Sequence, residues 1–137
     1  MPFTPEQLDN WFTYHPPTEG QKPAFAAIAA MERDCAEMLT KPGLTHNQVN
    51  AMLRRFVEMI DALAPDSADK TAAVRCVRIA RNAINEAIMQ AARSEHPASH
   101  CLWVCEHDLV SLPCRIAVHE LIKARWQANS AIACGGR

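Results

Sequence analysis

Only four of the 137 residues are glycine. Neither a P-loop nor a dinucleotide fingerprint is present, so no glycine-rich loop cradles a phosphate here. No paired-carboxylate motif for acid–base catalysis stands out either. Charge of one sign is not in excess: the net charge is -1. That excludes the broad basic field that holds duplex nucleic acid, while a small anion held by a few local cations stays possible. No apolar run approaches the ~20 residues of a membrane span. The charged and apolar regions of a signal peptide are missing at the start, so a soluble, cytosolic protein is expected. There are six cysteines, but Cys35, Cys76 and Cys134 fall within helical patterns. In a reducing compartment they are not expected to build a disulfide framework.

β-branched alternation is also lacking, and this excludes a sheet. What remains is alanine-rich and helical, with 49% apolar residues, enough for the core of one domain. The spacing predicts about four helices. The first spans Gly20 to Thr40, with Pro23 in its first turn and a stripe of Phe25, Ile28, Cys35, Met38 and Leu39. Lys41-Pro42-Gly43 stops it. Thr45 with Gln48 is a capping box opening the second helix, whose stripe is Val49, Met52, Leu53, Phe56, Val57, Ile60 and Leu63. Pro65 ends it, and Ser67 caps a third carrying Val74, Val77, Ile84, Ala87 and Ile88 to about Arg93. The short link makes the second and third helices an antiparallel hairpin. A fourth helix begins near Pro113, passes Ile116, Leu121, Ile122, Ala128 and Ile132, and ends at Gly135-Gly136. One domain over 1–137 is expected: a strap over 1–17, a helical core over 18–93, and an irregular connection with a C-terminal helix over 94–137.

The strap centres on Phe12-Thr13-Tyr14-His15-Pro16-Pro17. The two prolines hold Tyr14 and His15 extended. An aromatic ring and a histidine on a stiff strap suit stacking on a flat ligand. Equally, Phe12 and Tyr14 can staple down on a helix pair, and the residues alone favour the staple.

At the start of the third helix stands Pro65-Asp66-Ser67-Ala68-Asp69-Lys70-Thr71. A helix N-terminus offers free N–H groups and partial positive charge. Lys70 adds a cation, Ser67 and Thr71 add hydroxyls, and Arg75 lies one turn on. The corner can hold a phosphate. It also reads as a plain N-cap with a surface lysine, and Asp66 and Asp69 favour that reading.

His96, His100, Cys101, Cys105, His107 and Cys114 form a Cys/His cluster, but their spacing matches no common zinc pattern closely. Buried thiols and exposed loop histidines explain it as well. A nucleophilic Cys–His pair has no specific signal among so many candidates. Glu32, Asp34 and Glu37 read as one solvated helix face.

Taken together, the strap and the string Pro65-Asp66-Ser67-Ala68-Asp69-Lys70-Thr71-Ala72-Ala73-Val74 resemble the phage anti-CBASS sponge family, which shares a helical-hairpin domain with anti-Thoeris sponges. That family's closing Trp-Ala-Asn-x-Ala-Ile-like stretch has counterparts here in Asn82-Ala83-Ile84-Asn85-Glu86-Ala87-Ile88 and, more faithfully, in Arg125-Trp126-Gln127-Ala128-Asn129-Ser130-Ala131-Ile132. The resemblance covers about two thirds of the chain. It implies a non-enzymatic, all-α homo-oligomer, commonly a hexamer, that sequesters cyclic dinucleotides, and in some members cyclic trinucleotides, without any cofactor or metal. By matching position, Tyr14 would stack on a base, Lys70 and Thr71 would contact phosphate or base edges, and His15 would serve a second site. Ser67 and Arg75 complete the expected ligand-binding set.

Stacking is worth ~1–3 kcal/mol per base. A two-fold ligand at a two-fold interface would use each tyrosine and each Ser67-Lys70-Thr71 corner twice. The chain is longer than a bare hairpin. Either the second and third helices are the hairpin and the fourth is an appendage, which the Ser67 corner favours, or the first and fourth are an outer pair. The rival functions are a sponge for an ADP-ribose-derived signal, a helical protein-interaction module, and a nuclease that destroys the signal.

Overall fold

The computed structural model describes residues 2–13, 16–41, 43–93 and 112–134. Among them are five helices. The first, α1 (Pro5–Phe12), was not expected from the sequence. It opens on a capping box in which Thr4 Oγ1 accepts from the Gln7 amide while Gln7 Oε1 accepts from the Thr4 amide, with Pro5 in the first turn. The segment expected as a strap is therefore helical from Pro5 to Phe12, with Thr13 as the C-cap. The staple expected of Phe12 is not formed, because that side chain ends α1 and is 83% exposed. No residue of α1 is buried. Its aromatic contact is internal: the Phe3 and Trp11 rings meet edge to face, with centroids 4.9 Å apart.

The next four helices follow the expected order. They are α2 (Lys22–Met38), α3 (His46–Leu63), α4 (Ala68–Arg93) and α5 (Leu112–Cys134). The Thr45–Gln48 capping box opens α3 as expected. Before it, Gly43 turns the chain with φ +71°, a left-handed conformation that suits a residue without Cβ. Each helix packs on its neighbour in the chain, and α5 packs back on α2, so the four close into a ring. Polar contacts fix the directions. His46 Nδ1 lies 2.9 Å from Asn85 Oδ1 near one end of the α3–α4 pair, and Lys70 Nζ meets Asp61 at the other. Glu32 and Arg125 are 3.3 Å apart across α2 and α5, and Gln21 Nε2 donates to the Ile132 carbonyl at 3.0 Å. The result is an up-down-up-down bundle.

The most extensive contact is α4 against α5. Hence the C-terminal helix is no appendage to a core over 18–93. It forms one wall of that core. The buried positions of both helices recur at three- and four-residue spacing and are mostly alanine: Ala73, Val77, Ala80, Ile84 and Ala87 on α4, and Cys114, Ala117, Leu121, Ala124, Ala128 and Ala131 on α5. Alanines let the two helix axes approach each other. Two residues assigned to the α5 stripe point outward instead, since Ile116 and Ile122 are exposed. Leu63, assigned to the α3 stripe, is exposed as well. The largest fully buried side chains, Phe56, Ile28 and Ile60, come from α2 and α3. No helix among the described residues is long and apolar enough to cross a membrane.

Candidate ligand-binding groove

The turn between α3 and α4 sets the site. The Ala64 amide donates to the Ile60 carbonyl at 2.9 Å and closes α3. Pro65 then holds Ala64 extended, with φ -97° and ψ 132°. Two residues later Ser67 starts α4. Its Oγ accepts from the Lys70 amide at 3.1 Å, and its carbonyl accepts from the Thr71 amide and the Thr71 hydroxyl, both at 3.2 Å. The predicted Ser67 cap is present.

Along this start of α4 runs an open groove of about 410 Å³, lined by Asp61, Asp66, Ser67, Lys70, Thr71, Val74, Arg75 and Arg78. Four of the six residues nominated from the sequence, Ser67, Lys70, Thr71 and Arg75, thus share one surface. Tyr14 and His15 lie outside the described residues. Arg78 was missed, although it follows Arg75 by three residues and Thr71 by seven, a spacing that keeps it on the same helix face. Asp61 was missed because it comes from α3 and reaches the groove only through the hairpin.

The electrostatics differ from those expected of the Lys70 corner. Lys70 Nζ lies 2.8 Å from Asp61 Oδ1, 2.9 Å from Asp66 Oδ1 and 3.3 Å from the Asp61 carbonyl oxygen. Its side chain is only 14% exposed, while that of Asp66 is 99% exposed. Hydrogen bonds to Asp61 and then to Asp66 raise the ammonium above the usual lysine range. The hydrogen bond from Lys70, followed by its charge, lowers the Asp66 carboxyl. The groove therefore carries three cations against two carboxylates, with one cation held by both acids. Its uncommitted positive charge belongs to Arg75 and Arg78, neither of which is in an ion pair among the described residues.

Other candidate chemistry looks different in three dimensions. Of the Cys/His cluster, His96, His100, Cys101, Cys105 and His107 lie outside the described residues, and Cys114 is buried at the start of α5. Among the described residues, no three His, Cys, Asp or Glu side chains are placed to hold a metal ion. Burial, followed by the charges of Asp34 and Glu32, pushes the Cys35 thiol up to about 12. Burial, then a hydrogen bond to Glu120, raises Cys76. Both are held as neutral thiols, the opposite of an activated nucleophile. Glu32 is not part of a solvated face: its side chain is largely covered and pairs with Arg125. Arg125, inside the stretch that resembles the family's closing motif, thus ties α5 to α2, while Trp126 beside it is 67% exposed.

Compared with protein-family models, curated proteins and solved structures, the chain matches none.

Proposed function

We propose that this chain is a non-catalytic sponge of the phage anti-CBASS type. It binds cyclic dinucleotides, and in a larger assembly cyclic trinucleotides, and keeps them intact in the host cytoplasm. The working form is a homo-oligomer, a hexamer by the family resemblance, with Tyr14 stacking on a base, His15 serving a second site and the α4 groove taking phosphate. No metal or cofactor takes part.

One observation carries the reading: Ser67, Lys70, Thr71 and Arg75, nominated together from a motif, line a single groove with a further arginine. A cyclic dinucleotide requires a cationic wall and a stacking platform; the groove offers the first, and the Tyr14-His15 strap expected from the sequence would supply the second.

The test is ligand capture. The protein is incubated with cyclic di- and trinucleotides and a cyclic ADP-ribose isomer, freed of unbound ligand by gel filtration, and heat-denatured. Chromatography of the released material is expected to return an intact cyclic dinucleotide. Return of the ADP-ribose isomer alone would move the protein to the anti-Thoeris type of sponge. Cleaved products would make it a nuclease.

A second reading rests on a separate observation. Phe3, Trp11 and Phe12 at α1, and Val118, Ile122 and Trp126 on the outer side of α5, are exposed. Exposed apolar surface of this kind marks protein contacts, as a helical protein-interaction module would have. That module predicts empty fractions in the capture experiment and a dispensable Lys70.

A further inference from the structure

A lysine ammonium has three protons to donate. In Lys70 all three have acceptors: Asp61 Oδ1, Asp66 Oδ1 and the Asp61 carbonyl. A phosphate approaching this corner finds no free donor on the residue that the motif nominates. Two of the acceptors, the Asp61 carboxylate and the Asp61 carbonyl, come from α3 across the hairpin. The third, Asp66, stands in the turn with its side chain fully in water. Such an exposed pair is screened by salt and held weakly, so its carboxylate exchanges readily for another anion.

Farther along the same groove, Arg75 and Arg78 have no ion-pair partner among the described residues, which leaves their guanidinium donors for a ligand. A guanidinium presents a planar fork that fits two phosphate oxygens at once, which an ammonium cannot do. We infer that Arg75 and Arg78 are the primary anchor for a phosphate-bearing anion in this groove, and that Asp66 is a built-in competitor that occupies Lys70 until the ligand displaces it. The inference rests on the reading of the groove as the phosphate side of the ligand site, and it names the residues that govern affinity there. Arriving phosphate first meets the two arginines. Its second contact is Lys70, exchanged from one carboxylate to another anion. The ammonium is never left bare, since Asp61 holds it throughout.

The experiment is calorimetry on the full chain at low ionic strength, with two probes: inorganic pyrophosphate, which has the charge and no base, and a cyclic dinucleotide. The variants Arg75→Gln, Arg78→Gln and Asp66→Asn all change exposed side chains. Pyrophosphate is expected to bind the wild type, to lose about tenfold in affinity in either arginine variant, and to bind Asp66→Asn several-fold more tightly. Wild-type affinity in Arg78→Gln, weaker or unchanged affinity in Asp66→Asn, or no pyrophosphate binding to any form would overturn the inference. If pyrophosphate follows the expected pattern while the cyclic dinucleotide is refused, the anion site stands and the sponge reading falls. If the cyclic dinucleotide binds without regard to Arg78 and Asp66, the sponge reading stands and this inference falls.

Discussion

Lys70 Nζ of α4 lies 2.8 Å from Asp61 Oδ1 of α3. The contact crosses the α3–α4 turn and does two things: it fastens the hairpin at this end and places one cation between two acids at the mouth of the groove. In Lys70→Ala, cyclic dinucleotide affinity should fall and its salt dependence should flatten, because a charge that meets phosphate has been removed. An unchanged salt slope across a series of sodium chloride concentrations would count against phosphate contact at Lys70.

The strap carries the stacking half of the account. Tyr14→Ala should abolish dinucleotide binding, since each lost stack is worth ~1–3 kcal/mol and a two-fold site loses two. The helical far-ultraviolet signal should stay as in the wild type. Binding that survives with near wild-type affinity would make the strap structural.

Leu121 and Ile122 are chain neighbours with opposite surroundings, the first buried in the core and the second exposed. Urea denaturation of Leu121→Ala should show a loss of about 2–5 kcal/mol from transfer and cavity terms. Ile122→Ala should stay within roughly 0.5 kcal/mol of the wild type. Equal losses would mean that the face of α5 turned to the core has been misassigned.

Cys35 gives a pH signature. Its folded value of about 12 stands above the ordinary 9.0, so the folded chain holds a proton that the unfolded chain releases. Its contribution is fully present below about pH 9 and is lost as the pH rises toward the folded value, at up to about 1.4 kcal/mol per pH unit. Denaturation midpoints should therefore decline between these limits, and Cys35→Ala should show a shallower decline. Iodoacetamide at pH 8 should label exposed Cys134 while sparing Cys35 until the chain unfolds. Equal labelling rates in the folded protein would contradict the burial of Cys35.

Local chemistry made most of the bundle readable. Thr45 with Gln48, Pro65 and Ser67 mark helix ends through rules that act over three or four residues, and the structure keeps all of them. The same capping signal, Thr4 with Gln7 and Pro5 between them, stands at the start of α1; the aromatic strap after it drew the reading toward extended chain. In α5 the core face is mostly alanine, with Cys114, Leu121 and Ile132 among them, while Ile116 and Ile122 lie outside. The bulky-residue stripe expected for this helix therefore holds at Leu121, Ala128 and Ile132 and fails at Ile116 and Ile122, because much of the face turned to α4 is built from small side chains.

The groove divides in the same way. Ser67, Lys70, Thr71 and Arg75 are contiguous enough to be read as a motif. Asp61 enters through the antiparallel pairing of α3 with α4, and its effect on Lys70 follows from tertiary geometry alone. Glu32 and Arg125, about two-thirds of the chain apart, likewise look like surface charges until the ring of helices brings them together.

The central claim is tested most directly by calorimetric titration of the full chain with a cyclic dinucleotide. The account predicts tight binding at one ligand per two protomers, as a two-fold ligand clamped by two straps and two grooves requires. Absence of heat at ligand concentrations well above those of the protein would contradict it and leave a helical interaction protein as the better description.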